Sequence, residues 1–444
     1  MIPDKGYMPM YLWYKGFREG VLASSAKPFF LALEREDGGI KSFRLRIYSD
    51  PLMGDDNFFI CERIAKFMLW AYGGFRFYVF GDRYIYEKLK GAYSETGERA
   101  FDYNFMRKVF KRPLEFVYVE NSQDFPADVG HAIRPKAQAE GYRIGFDAGG
   151  SDRKVTACID GKAVFEDETV WNPKLNSDPS YHEQGIWESI DKALAALGGR
   201  VDSIGVSTAG IVINNEVRVA SLFRLVPEGL FEQRIVPIYK NLAERYGCPV
   251  TVANDGDVAA LAGAYQTGRG ELLGTAMGTS LAGGYIDKDM GISGYLNELA
   301  FVPVDANPDA AADEWSGDRG VGCMYHSQDG VIKLANELGI DFSSCNTPAE
   351  KLKVVQKLAE SGDERAESIF LRMGDYYGYS ILWFAEFYSI KNVIFLGRVA
   401  SGRGGELILG RANEILKQYE SEIKIILPDE MSRRLGQSYT AACL

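Results

Sequence analysis

Residues 142–161, YRIGFDAGGSDRKVTACIDG, run an apolar strand into Asp147, Gly149, Gly150 and Ser151, then into a second strand. A buried strand ending on a carboxylate and two glycines puts an acid and unhindered backbone amides at one tip, which suits a ligand. Two more glycine-rich turns follow, Gly278-Thr279-Ser280-Leu281-Ala282-Gly283-Gly284 and Gly397-Arg398-Val399-Ala400-Ser401-Gly402-Arg403-Gly404-Gly405. Between the first and second turns lies Asn254-Asp255, at the head of a helical stretch. One glycine turn between strands is often only a turn. Three of them with Asn254-Asp255 interposed form a more specific set. Asp255 by itself also reads as a helix-start residue, a place where Asn and Asp are favoured. Asp257 directly precedes the apolar face and is the better cap candidate, which leaves Asp255 free for chemistry.

The elements that must position these residues alternate strand and helix. In the first 121 residues, FFLALERE and IKSFRLRIY flank Asp37-Gly38-Gly39, a hairpin signal. Ile60, Ile64, Phe67 and Met68 repeat at helical spacing, and FRFYVFG and EFVYV read as strands around a further helical stretch. Residues 122–141 lack periodicity and read as a linker. From 142 come a strand pair, a third strand at KAVFEDETV, and a helix with Ile186, Ile190, Leu194 and Leu197 on one face. VDSIGVSTAG reads as a buried strand, CPVTVANDGDVAALAGAYQTG as strand, polar turn and helix, and LLGTAMGTSLAGGYID as strand, turn and strand. A long helix around 365–390 precedes NVIFLGRVASGRGGELI, and EIKIIL is a last strand. The succession of helix and strand at 58–119 has a faint echo at 375–427. The expected domains are an accessory α/β segment at 1–121, the linker, one lobe at 142–270 and a second at 271–444.

Composition bounds the partners. The 444 residues carry 50 basic and 61 acidic side chains, a formal charge of -11, and 46% are hydrophobic. That acidity argues against a nucleic-acid binder, which needs a basic face. A nucleotide is not excluded, since backbone amides and a metal ion can hold phosphates on an acidic protein. The six cysteines show no Cys-x-x-Cys spacing and read as reduced thiols, which points to the cytoplasm. Three histidines are too few for a His-rich metal site. No secretory leader and no run of about 18 apolar residues is seen, so no membrane association is expected.

The order and spacing of the turns resemble the ROK family of sugar kinases, within the actin/hexokinase/Hsp70 superfamily, over about residues 142–444. The resemblance implies an α/β fold of two RNase H-like, actin/hexokinase-type ATPase domains with an interdomain cleft, here with a small α/β N-terminal segment. It implies ATP and Mg²⁺, a sugar substrate and a homo-oligomer. By the family pattern Gly149, Gly150 and Ser151 meet the phosphates from one domain, and Gly278, Thr279 and Ser280, with Gly283 and Gly284, from the other. Gly397 and Gly402 pack the adenosine. Asn254, Asp255 and Glu298 hold the sugar, Asp255 is the catalytic base and Asp147 is linked to the metal. The physics agrees: Mg²⁺ prefers oxygen ligands and keeps waters. A helix N-terminus favours an ionised Asp255, and an ionised carboxylate can accept the proton of an attacking hydroxyl. Two carboxylates, Asp255 and Glu298, suit the paired hydroxyls of a sugar.

The chain also departs from the family. In GYLNELAFVPVD the acidic Glu298 is kept, but Phe301 stands where the family has His. The zinc cysteines are missing and Cys323 stands alone, so no structural zinc is expected. Residues 308–326 take the zinc module's place, and Asp313, Glu314, Asp318 and Arg319 either line a sugar pocket or pair with each other on the surface. Ala209 replaces a proline, and Ser280 and Ala282 replace glycines. Arg153 and Lys154 read as a solvated or pairing basic step. An ATP-dependent carbohydrate kinase is the expected activity; the alternative is a sugar- or nucleotide-sensing protein of the same fold that has lost turnover.

Overall fold

The computed structural model describes residues 2–136, 139–427 and 430–444. The expected linker at 122–141 therefore includes two residues, 137 and 138, outside the described ones. The chain forms two compact units. One comprises Met1–His131, Thr275–Gly283 and Tyr295–Leu427; the other comprises Ala132–Gly274, Gly284–Gly294 and Pro428–Leu444.

The second unit is built on a five-stranded sheet in the order Val250–Asn254, Ser203–Thr208, Tyr142–Ala148, Asp152–Ile159, Lys162–Val170. The first three strands are parallel and the last two antiparallel. Asp147 pairs in register with Ser207, and Thr208 with Asn254. The carboxyl ends of three parallel strands therefore end together, where ligands of open α/β sheets bind. Helix Pro179–Ala196 starts at Asp178, whose side chain accepts from the Ser180 N–H, with Pro179 at the first helical position. Its Ile186, Ile190 and Ala193 pack on Ile144, Phe146, Ile204 and Val206 of the sheet. The expected apolar face is thus found, with Leu194 only partly buried.

The first unit holds two segments distant in sequence. The N-terminal segment has a sheet in the order Ile40–Tyr48, Ala26–Glu34, Arg76–Phe80, Glu115–Val119. The hairpin at Asp37-Gly38-Gly39 is as expected, with Gly38 at φ +76°. Helix Met10–Leu22 was not anticipated from sequence. The other sheet has the order Leu281–Ile286, Leu272–Met277, Asn392–Leu396, Lys424–Ile426, alongside the long helix Glu364–Phe384.

Helix Gly54–Ala71 joins the two segments. Phe67 stacks on Phe387 at 3.7 Å and meets Trp383 and Phe384, while Tyr14 packs edge-on against Trp383. All but the half-buried Ala385 and Glu386 of residues 383–388 lie in this aromatic core. Among the described residues no helix is long and apolar enough to cross a membrane.

Candidate active site

Asp147 closes the strand Tyr142–Ala148 and is buried. Ser207, on the neighbouring strand, donates its hydroxyl to Asp147 Oδ1 at 2.6 Å. Burial, opposed by that hydrogen bond and reinforced by the charge of Asp255, raises the Asp147 pKa to about 6. After Asp147 the chain turns through Gly149–Ser151 and returns as the strand beginning at Asp152. Trp171 holds this turn at two points. Its indole N–H donates to the Gly149 carbonyl at 2.8 Å, and its backbone N–H to the Ser151 carbonyl at 3.1 Å. Gly150 and Ser151 are exposed at the tip.

Asn254 ends the strand Val250–Asn254 and caps the helix Asp255–Thr267. Its Oδ1 accepts from the Gly256 N–H at 2.8 Å, and its Nδ2 donates to the Gly210 carbonyl at 2.9 Å. This corrects the expectation that Asp257 is the cap. Asp257 is buried at the third helical position, where its Oδ1 accepts from the Tyr285 N–H at 3.0 Å. Cap and acid are adjacent residues, and Asp255 is left to project from the first position.

The expected effect of the helix dipole on Asp255 is also corrected. Burial pushes its pKa up, and the hydrogen bonds from the Gly256 N–H and its own backbone, with the charge of Lys174, only offset part of that rise. Desolvation outweighs the dipole because it acts on the whole charge, while a dipole is worth about 1 kcal/mol.

Gly284 has a different task from the phosphate contact expected of it. A Cβ there would collide with the carbonyl of Gly256, so this glycine lets a strand lie against the turn that carries Asp255. Gly283 likewise packs on Asn297 and Leu299 of the loop carrying Glu298; a Cβ would sit 2.7 Å from the Asn297 carbonyl oxygen. These two glycines set backbones in place.

In the first unit, Gly278 opens the tight turn between the strands Leu272–Met277 and Leu281–Ile286, with its N–H on the Ser280 carbonyl at 3.0 Å. Ser280 is exposed and Thr279 at its side likewise. Gly397, at φ +99°, packs on the Met277 backbone beside that turn, and Gly402, at φ +62°, begins the helix Gly402–Gln418.

Glu298 is half-buried, and the loop before it has an unexpected anchor. The N–H groups of Leu296, Asn297 and Glu298 donate to the carbonyls of Tyr72, Ala71 and Trp70 at 3.4, 2.9 and 3.1 Å. These are among the last carbonyls of the helix Gly54–Ala71, which need partners from outside it. Phe301, in the place of the family's histidine, packs on Trp70 with ring centres 4.4 Å apart.

Asp318 corrects the two readings offered for it. It is buried and bound by the N-terminal segment, through Lys66 at 2.9 Å, Arg99 at 2.7 Å and Arg63 at 3.4 Å. Burial alone would raise its pKa; these three cations outweigh burial and hold it well below the usual carboxylate range. Arg319 donates to the Ala310 carbonyl. Asp313 accepts from the Ser316 backbone and hydroxyl. Arg153 is buried and paired with Glu188 at 2.8 Å, so it pairs without being solvated, and Lys154 pairs with Asp152 at 3.3 Å.

The site also uses residues that the sequence did not single out: Ser207, Trp171, Lys174 and Tyr239, which hydrogen-bonds Thr208 at 2.8 Å. Only the strand pairing reveals Ser207 as the partner of Asp147.

The donor set at Asp147 fits a hard divalent cation. It offers a carboxylate oxygen, buried beside a second carboxylate whose charge it feels. Among the described residues no three His, Cys, Asp or Glu side chains are grouped as a metal site. An ion at Asp147 would therefore take most of its ligands from water and phosphate, as Mg²⁺ does.

Comparison with known proteins gives the family and the fold. The sequence pattern of the ROK family matches residues 143–430. Among solved structures, a ROK hexokinase from Thermus thermophilus is similar at 20% identity and a TM-score of 0.53, over 67% of this chain and 97% of that one. A ROK family transcriptional regulator, homologous to the E. coli MLC protein, is similar at 13% identity and a TM-score of 0.51, over 68% of this chain and 78% of that one. Among curated proteins none matches. The chain belongs to the ROK family and has its two-domain actin/hexokinase-type α/β fold.

Proposed function

We propose that the protein transfers the γ-phosphoryl group of ATP to a hydroxyl of a sugar or sugar derivative. The observation that carries this reading is the placement of two carboxylates, the buried Asp147 and the half-buried Asp255, at the carboxyl ends of parallel strands, with the exposed Gly150-Ser151 turn following Asp147. The strands of Asp147 and Asn254 are two places apart, about 10 Å. That is room for a phosphoryl group between a phosphate turn and an acid.

In this reading the sugar hydroxyl gives its proton to the Asp255 carboxylate. Its oxygen forms a bond to the γ-phosphorus, and the bond from that phosphorus to the β–γ bridging oxygen breaks, its electron pair leaving with ADP. Burial serves this task, because a raised pKa makes Asp255 a better proton acceptor while Lys174 keeps the ionised form accessible. The cap of Asn254 on Gly256 fixes the start of the helix and hence the carboxylate. Mg²⁺ at Asp147 would neutralise charge on the phosphate oxygens. Gly278, Thr279, Ser280, Gly397 and Gly402 are assigned to the nucleotide and Glu298 to the sugar by the family pattern. Most of the acceleration comes from positioning and charge stabilisation.

The test is ADP release from Mg-ATP across hexoses, N-acetylhexosamines, polyols and inositols, with Asp255→Asn beside the wild type. Sugar-dependent release that falls by about 10²-fold or more in the variant is expected. An unchanged rate in Asp255→Asn removes the base assignment. A sensor without turnover is the second reading, favoured by Phe301 in the place of histidine and the regulator among similar structures. It requires ATP or sugar binding with no ADP release from any acceptor.

A further inference from the structure

Lys174 belongs to no motif of the sequence, yet it stands at the phosphate turn. It lies in the single turn Pro173–Leu175, three residues after the Trp171 that pins that turn. Arg224 donates to its carbonyl at 3.3 Å, and the Leu175 N–H reaches back to the Asn172 carbonyl. The backbone is thus held and the side chain is half-buried. A Cβ built on Gly150 would sit 3.2 Å from Lys174 Nζ and 3.4 Å from its Cε, so the ammonium lies directly beside the tip of the turn. The same charge is felt at Asp255, where burial raises the pKa and Lys174 is among the groups that lower it.

Its neighbours make a contrast. Arg153 pairs with Glu188, Lys154 with Asp152 and Lys192 with Asp167. Among the described residues no carboxylate is recorded within ion-pair distance of Lys174. An ammonium beside a glycine turn, with no carboxylate at ion-pair distance and near enough to the half-buried Asp255 for its charge to be felt there, is a site for an anionic ligand group.

We propose that Lys174 binds the terminal phosphate of the nucleotide and stabilises the phosphoryl group in transfer. This rests on the kinase reading. The terminal phosphate is the one assigned because the transferred group must lie next to Asp255, and Lys174 acts on that carboxylate as well as on the turn. Lys174 is an electrostatic partner of the group in flight, distinct from the base.

The test is calorimetric titration of the full chain with Mg-ATP and with Mg-ADP, for wild type, Lys174→Ala, Lys174→Gln and Lys174→Arg, each checked for fold by circular dichroism. A charged hydrogen bond to phosphate is worth about 10- to 100-fold in affinity. Lys174→Ala and Lys174→Gln should lose about that factor for ATP while ADP affinity stays within about twofold. Lys174→Arg should keep part of the preference for ATP. An ATP-to-ADP affinity ratio unchanged from wild type overturns the assignment. Equal loss for both nucleotides also overturns it, since that marks a residue that only shapes the turn. A wild type that binds neither nucleotide overturns the kinase reading itself, and the Lys174 assignment with it.

Discussion

Asp147 is the residue whose environment is most sharply defined. Its folded pKa of about 6 lies above the ordinary Asp value of 3.8. The folded state therefore binds a proton more tightly than the unfolded chain between those values. Stability falls as pH rises from about 4 to 6, and the full cost remains above 6. Two units correspond to at most about 3 kcal/mol. Asp147→Asn keeps an oxygen for the Ser207 hydroxyl and removes the charge. In metal-free buffer this variant should unfold at a higher urea concentration than wild type at pH 7.5, with the gain vanishing near pH 4. Equal gain at both pH values would show that the charge is not the cost. The acid was legible in the sequence because it ends a strand before two glycines. Its raised pKa was not, because the burial that raises it and the Ser207 contact that opposes it both come from the packing of strands distant in sequence, Ser207 lying 60 residues on.

At the scale of elements, the closest approaches are backbone against backbone. Gly284 lies on Gly256, so Gly284→Ala must displace the turn that carries Asp255. Overpacking of this kind costs about 1–3 kcal/mol. The variant should lose kcat as well as stability, measured by ADP release and urea midpoint together; a stability loss with kcat intact would separate the strand from the base. The sequence showed Gly284 in a glycine-rich turn and suggested phosphate. What the glycine faces is a helix start 28 residues earlier, which no local pattern encodes. A second element-scale feature is the ion cluster on the helix Gly54–Ala71. Asp318→Ala would leave Lys66, which is fully buried, with one carboxylate fewer and should cost about 3–5 kcal/mol in urea unfolding. Glu62 in the same cluster is held at about 2 by Arg63 and Arg99 against the opposing effect of burial. Its contribution is present above pH 4.5 and is lost as pH falls toward 2. The cost of Asp318→Ala should be the same at pH 5 as at pH 7, because the three cations keep Asp318 ionised over that range; a cost that shrinks by pH 5 would contradict the cluster.

At the scale of the molecule, the N-terminal segment is the part the sequence explained least. Its strands were legible from period-two patterns, and its hairpin from Asp37-Gly38-Gly39. Its purpose was not, because it lies in contacts with residues more than 200 positions away: Phe67 with Phe387, Lys66 with Asp318, and the carbonyls of 70–72 with the amides of 296–298. The segment holds the backbone that leads into Glu298. The glycine-rich turns, by contrast, are short and legible in the sequence, and they carry the resemblance to the family. The central claim is that the γ-phosphoryl group goes to a sugar hydroxyl under the control of Asp255. The measurement that tests it most directly follows the label of γ-³²P-ATP, with Mg²⁺ and the best acceptor of the sugar panel, in wild type and Asp255→Asn. The account predicts label in a sugar phosphate ester with wild type and almost none with the variant. Label released only as inorganic phosphate, or a labelled ester formed equally well by Asp255→Asn, would contradict it.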